Sequence, residues 1–499
     1  MDENKTEVIT SYRQIPYSII GLELQGATKT AFTEELNKIF ELYEIYKKGS
    51  DFTTEGANGD YVPAKLKYKK IKSLIDKEAR FLFSKSPDFN LSVPLKDGKL
   101  DKEASSTLQT LVDEVLKSNM FQGKLLKAAK DCFIGKRAAC MLNFNPNSGI
   151  TISFMSALEF YYEMDDINPD ILSKFIAFIR VHDSSSTGEV RIFKKKYWMQ
   201  DGTCYVEEIL YDGHGIKVED VTPEQPTRFT YIPAVVILND GLTGDLLGES
   251  EVEQLNDYEA WYSKMANSDK DAERKSMNPT KYAIDCDNQS TKSLSSAAGS
   301  FWDLTSDENQ SADRQGKVGV LEANMTYKDA LKVTLDRINE MMHEQVDVPN
   351  VSSEALQGVV TSGKTLKAIY WSLIVRCDEK MLVWRPALEF IGRTIINGSI
   401  LYPESAEYYV EEATPEVLFT IDVENNYPLP EDEAEEKTID MSEVLSLTMS
   451  KKSYMKKWRK LTDEEADEEI KQIQKEKQIL EDSFSNIPPT GNKVFGDND

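Results

Sequence analysis

Residues 348 to 380 read VPNVSSEALQGVVTSGKTLKAIYWSLIVRCDEK, and two incompatible folds compete for them. From Gly358 to Thr365, GVVTSGKT fits the phosphate-loop pattern G-x-x-x-x-G-K-[ST]. In that pattern the glycines let consecutive backbone N–H groups close around phosphates, the Lys reaches the outer phosphates and the hydroxyl holds Mg²⁺. Gly358, Gly363, Lys364 and Thr365 would then form a nucleotide site. VLFTID, from Val417 to Asp422, would be an apolar strand ending in the Asp that orients the metal. On this reading the chain is a P-loop ATPase.

The flanking sequence argues against it. A phosphate loop follows directly on a buried strand, but NVSSEALQ offers only Val351, Ala355 and Leu356 as apolar residues, in no strand alternation. A parallel sheet would continue in repeated strand–helix units. Instead the spacing predicts one very long helix over 364–396, interrupted near Pro386, and then mostly helical, acidic sequence.

Working outward toward the N-terminus, two long amphipathic helices bracket a small module. One covers 250–275, with Val252, Leu255, Tyr258, Tyr262 and Met265 on one stripe; the other covers 327–345, with Tyr327, Leu331, Leu335, Ile338 and Met342 on one face. Between them, 277–325 reads as short strands and Ser-rich loops such as STKSLSSAAGS. Further upstream, Phe32, Leu36, Ile39, Phe40, Tyr43 and Tyr46 mark a helix over 28–48 that stops at Gly49. Helices follow around LKYKKIKSLIDKEARFLFSK and over 103–134. From 136 to 240 the period shortens to that of strands in RAACMLNF, GITISFM, KFIAFIRV, VRIFKKKYWM, CYVEEILY and AVVILN. The fold class read from this order is α+β with a mostly antiparallel sheet.

Toward the C-terminus, Thr462 and Glu465 form a capping box ahead of a helix whose apolar face is Ala466, Ile470, Ile473 and Leu480. The basic run Lys451 to Lys460 lies between acidic stretches at 431–443 and 463–469, and pairing with them is its expected role. NIPPTGNKVFGDND reads as a disordered tail.

Composition bounds the chemistry. A chain of 499 residues with 40% hydrophobic and 29% charged residues is that of a folded, multi-domain protein. No apolar run reaches the roughly 18 residues of a membrane span, and MDENKTEVIT lacks the basic and apolar regions of a signal peptide. The five cysteines form no C-x-x-C pair, and the histidines (His182, His214, His343) are scattered. Neither a metal site nor a catalytic triad is expected. A formal net charge of −26 disfavours tight nucleic-acid binding, which rests on Lys and Arg contacts to phosphate, but suits a surface that DNA must pass without sticking.

The order of parts resembles the portal proteins of tailed double-stranded DNA bacteriophages, over nearly the whole chain. The resemblance is carried by YEIYKKG, KKIKSLIDKEARFLFSKSPDF, AAKDCFIGKRAACML, LNDGLTGDLLGESEVEQLNDYEAWYSKMANSDKD, the opening stretch, and MSKKSYMKKWRKLTDEEADEEIKQIQKEK. In this family Ser-Gly-x-x-Leu starts the helix after a tunnel loop; Ser362, Gly363 and Leu366 match it, and Lys364 and Thr365 fall at variable positions. The family's yl-G-kP segment is FLFSKSP here, with Ser84 in place of Gly.

The resemblance implies a portal fold assembled as a ring, usually a dodecamer, at one capsid vertex. Its expected parts are an N-terminal arm (1–24), an α+β wing (25–245), a two-helix stem (250–275 and 327–345), a small α/β clip (277–325), a tunnel loop (346–362), a long helix returning to the wing (363–429), a helical crown (430–482) and a tail (483–499). The implied partners are other copies of the chain, the terminase large subunit that pumps DNA, the major capsid and scaffolding proteins, a head–tail connector, and double-stranded DNA passing without sequence specificity. It implies no enzyme activity, cofactor or membrane, and a location in the virion after assembly in the host cytoplasm. Val348, Asn350, Val351, Ser352, Ser353 and Glu354 are the expected tunnel-loop contacts, and Lys328, Lys332 and Arg337 the expected stem residues facing the channel.

Overall fold

The computed structural model describes residues 17–54, 62–95, 99–182, 190–242, 244–277, 280–284, 286, 306, 316–321, 325–351, 363–410, 413–428, 433–459 and 461–485. They belong to two compact units, one of Met1–Val351 with Tyr370–Pro428, the other of Ser352–Ile369 with Leu429–Asp499.

The larger unit opens with helices α1 (Tyr17–Glu23), α2 (Gly26–Lys48) and α3 (Lys70–Phe83), strand β1 (Asp88–Ser92), and helices α4 (Lys102–Ser118) and α5 (Phe121–Gly135). The helical spacing over 28–48 is real, for Phe32, Leu36, Ile39, Tyr43 and Tyr46 are all buried. Gly49 ends that helix at φ 85°, a conformation that costs glycine little, and its amide closes the last turn on the Ile45 carbonyl. Ser84, where the family has Gly, sits at φ −70° and ψ −30°, so no glycine is needed there.

Next come β2 (Arg137–Asn145), β3 (Gly149–Ser156), β4 (Phe160–Met164), β5 (Leu172–His182), β6 (Val190–Gln200), β7 (Thr203–Tyr211), β8 (Lys217–Pro226) and β9 (Ala234–Leu238). The expected single sheet is two sheets, ordered β3-β2-β9 and β4-β5-β6-β7-β8, both antiparallel throughout. Met141 and Met155 from the first and Phe160, Phe175 and Tyr197 from the second share one core cluster. Burying each such side chain contributes roughly 2 kcal/mol, which binds the two sheets together. Strand β8 escapes a reading by periodicity because KVEDVTPEQP is exposed along nearly all its length. It is an edge strand, and its register shifts, prolines and acids discourage further pairing.

The unit continues with α6 (Glu251–Met277), the antiparallel strand pair β10 (Thr280–Ile284) and β11 (Lys317–Leu321), and α7 (Lys328–Gln345). A short helix, α8 (Gly363–Ile369), belongs to the smaller unit. Then α9 (Trp371–Leu401), α10 (Pro403–Ala406) and β12 (Thr420–Glu424), which pairs with β1, complete the larger one. The long helix is interrupted at Tyr370 and not at Pro386, which lies inside α9. The carbonyl that Pro386 leaves without a helical donor is that of Leu382, on the exposed side of the helix, while Trp384, Ala387 and Leu388 hold the other side in the core.

In the smaller unit, α11 (Glu433–Leu445), α12 (Lys451–Arg459) and α13 (Asp463–Ser485) follow one another. The capping box forms as read: Thr462 N donates to Glu465 Oε2 at 2.9 Å and Glu465 N to Thr462 Oγ1 at 3.3 Å. Ala466 is buried, whereas Ile473 is about one-third exposed (37%). The basic run pairs with its acidic flanks through Lys452–Asp467, Lys457–Asp440 and Arg459–Glu469, each at 2.8 Å. No helix among the described residues is long and apolar enough to cross a membrane.

Candidate functional site

Helices α6 and α7 lie antiparallel, since Lys328 at the start of α7 pairs with Glu273 near the end of α6 at 2.9 Å and Tyr327 donates to Asp269 at 3.0 Å. Leu331, Ile338 and Met342 recur at helical spacing and are buried, which seats α7 on its neighbours. The opposite face is exposed and charged: Asp329, Asp336, Glu340 and Glu344 form one acidic stripe, flanked by Lys332 and Arg337. Lys332 and Arg337 are exposed, while the charge of Lys328 is engaged by Glu273. Such a face repels phosphate over most of its length and offers it two isolated cations.

Beyond α7 the chain turns sharply. Asp347 takes φ 50°, and Val346 and Val348 are buried, anchoring the segment that leaves the helix. His343 Nδ1 lies 2.8 Å from the Val348 carbonyl, and burial holds its imidazole below the usual range, so the neutral ring donates that bond. Of the expected loop contacts, Val348 is turned inward at 3% exposure, Val351 is half-buried and Asn350 is exposed. Ser352, Ser353 and Glu354 lie outside the described residues. A cavity of about 260 Å³ beside this turn is lined by Glu340, His343, Glu344 and Asp347, an acidic wall unsuited to a phosphate.

A buried ion cluster sits where α6 begins. Ser250 caps that helix by accepting from Val252 N at 3.2 Å, and Glu251 follows as its first residue. Arg376 Nε meets Glu78 Oε1 at 2.8 Å, and Arg376 also meets Glu251 Oε1 at 3.1 Å. Lys380 Nζ meets Glu251 Oε1 at 2.7 Å and Asn239 Oδ1 at 2.8 Å. Burial and the adjacent Glu251 push the Glu78 carboxyl up to about 8. Burial also opposes charge on Glu251, but Lys380 and Arg376 overcome it and hold that carboxyl below its ordinary value. The cluster joins α3, α6 and α9. Its one sequence signal is placement: Lys380 falls on the stripe of Leu373, Cys377 and Trp384, and Glu78 on that of Ile71, Ile75 and Leu82.

The phosphate-loop residues have no such setting. Gly358 lies outside the described residues, while Gly363, Lys364 and Thr365 open the short helix α8, which runs through Tyr370 into another helix. Every strand pairing among the described residues is antiparallel, so the parallel sheet of a P-loop enzyme is missing from them. Asp422 sits inside β12, opposite Asn90, and not at a strand end facing a loop.

The family model described as phage portal protein, SPP1 Gp6-like, matches residues 26–480 of the chain. The chain belongs to the phage portal protein family. No curated protein matches it. As a portal protein it is a member of a structural family, and the match covers α2 through most of α13, so the antiparallel helix pair, the turn after α7 and the ion cluster are all parts of the portal chain proper.

Proposed function

We propose that copies of this portal chain form a ring, usually of twelve, at one capsid vertex, and that its central channel conducts viral DNA inward under a terminase motor and outward at ejection. In this reading α6 and α7 are the stem, the β10–β11 strand pair belongs to the clip that docks terminase and later the head–tail connector, residues 346–362 are the tunnel loop, and 430–482 the crown. The α+β part over 25–245 is the wing, facing the capsid and scaffolding proteins. The chain does no chemistry of its own; DNA passes it without sequence specificity.

The observation that carries the reading is the split character of α7, apolar on the side it buries and predominantly acidic on the side it exposes. A helix pair repeated about an axis can bury apolar stripes within each subunit and turn its charged faces elsewhere. An acidic wall keeps a polyanion mobile, and Lys332 and Arg337 supply brief contacts with its backbone. The full chain, purified and viewed by negative-stain electron microscopy, should give rings with an axial hole, with subunit number from native mass. A monomer that persists across salt and protein concentration would sink the proposal.

A further inference from the structure

We propose that Glu78 and Glu251 share a single proton, which locks the first turn of α6 to α3 and α9 and is released as the surroundings turn alkaline.

Both side chains are fully buried. One oxygen of each is spoken for, since Oε1 of Glu78 and Oε1 of Glu251 take the Arg376 and Lys380 donors. The remaining oxygens, Glu78 Oε2 and Glu251 Oε2, are buried without a donor, and shared cations hold the two carboxyl groups side by side, Arg376 at 2.8 and 3.1 Å and Lys380 at 3.6 and 2.7 Å. Two ionised carboxylates cannot bond, because both only accept. A proton on one of them supplies a donor to this pair of acceptors and removes the repulsion between two buried negative charges.

The surrounding charges favour that state. The partly buried Arg376 and the buried Lys380 face Glu251 and also Asp347, 4.0 Å from Arg376, and Asp240, 3.8 Å from Lys380. Those are already three acids for two cations, and an ionised Glu78 would be a fourth. The other titratable groups nearby, Cys377 on α9 and Cys132 on α5, are thiols that burial keeps protonated, so they add no charge. The proton belongs on Glu78: Glu251 opens α6, where the helix dipole favours a negative charge, whereas Glu78 lies in the C-terminal half of α3, where it does not.

The consequence follows from linkage. The folded chain keeps a proton that the unfolded chain has lost, so this pair's contribution to stability falls as pH rises from 4.5 towards about 8. Loss of the proton sets two like charges side by side where three helices meet.

Infrared spectroscopy of the full-length protein in D₂O tests this. At about pH 6 the spectrum should contain the carbonyl band of a buried carboxylic acid, which fades towards about pH 9 and is absent from Glu78→Gln. The side-chain amide introduced by Glu78→Gln would offer an N–H to Glu251 in place of the proton. The Glu78→Gln protein should therefore melt near the wild-type temperature at about pH 6 and lose the alkaline decline, while Glu251→Gln melts well below it throughout. A spectrum without the acid band, or a Glu78→Gln protein as damaged as Glu251→Gln, would overturn the proposal. If Glu251→Gln does not fold, the wild-type and Glu78→Gln spectra still decide.

Discussion

The amide of Ser50 donates a 2.7 Å hydrogen bond to Glu259 Oε2, across 209 residues of sequence. Ser50 Oγ donates to the same oxygen at 2.9 Å, and the Ile71 amide donates to Oε1 at 3.0 Å. Glu259 is fully buried in the first half of α6. One carboxylate therefore ties the end of α2 and the first turn of α3 to the first long helix of the antiparallel pair, and supplies Ile71 with the acceptor that a helix start lacks.

Glu259→Ala removes three acceptor contacts and leaves two backbone amides buried without partners. It should destabilise the protein by about 3 kcal/mol or more, seen as an earlier midpoint in denaturant. Wild-type stability in that variant would show that the carboxylate does not hold these elements together.

Acid should release α1. Glu23 pairs with Lys194 and Lys196 of β6, and although burial works against its charge, these two lysines hold its carboxyl below 4.5. A lowered carboxyl value means stability that is present above about pH 4.5 and lost as pH falls through the folded value. Glu23→Gln should be less stable than wild type at neutral pH, and the gap should close in acid. A gap constant with pH, measured by melting at several pH values, would refute the pairing.

Reversing the two isolated cations of α7 tests the passage of DNA. Lys332→Glu with Arg337→Glu alters exposed positions that bury nothing, so ring formation in the electron microscope should be unchanged. Packaging driven by terminase should slow severalfold, most at low salt, where charges on the surface are least screened. Unchanged packaging at all salt concentrations would remove these residues from the channel.

Lys364→Ala separates the portal reading from the nucleotide reading. The purified chain should show no Mg-dependent ATP turnover, and the substitution should leave packaging at the wild-type rate. Turnover that disappears with Lys364 would restore the phosphate loop.

Much of this portal chain was settled by sequence alone, because helices and strands are encoded over short windows. Phe32, Leu36 and Ile39 announce α2, Leu331, Ile338 and Met342 announce α7, and Thr462 with Glu465 marks the start of α13 three residues apart. The same local reading exposed GVVTSGKT as a phosphate-loop pattern without the strand it needs. Tertiary structure decided what depends on distant partners: the division into two sheets, the exposed edge strand β8, the break at Tyr370, and the cluster in which Glu78 and Arg376 meet from 298 residues apart. Periodicity says which face of a helix is buried. Only packing says which charges are buried with it, since the energy that permits a buried acid comes from partners brought by other elements.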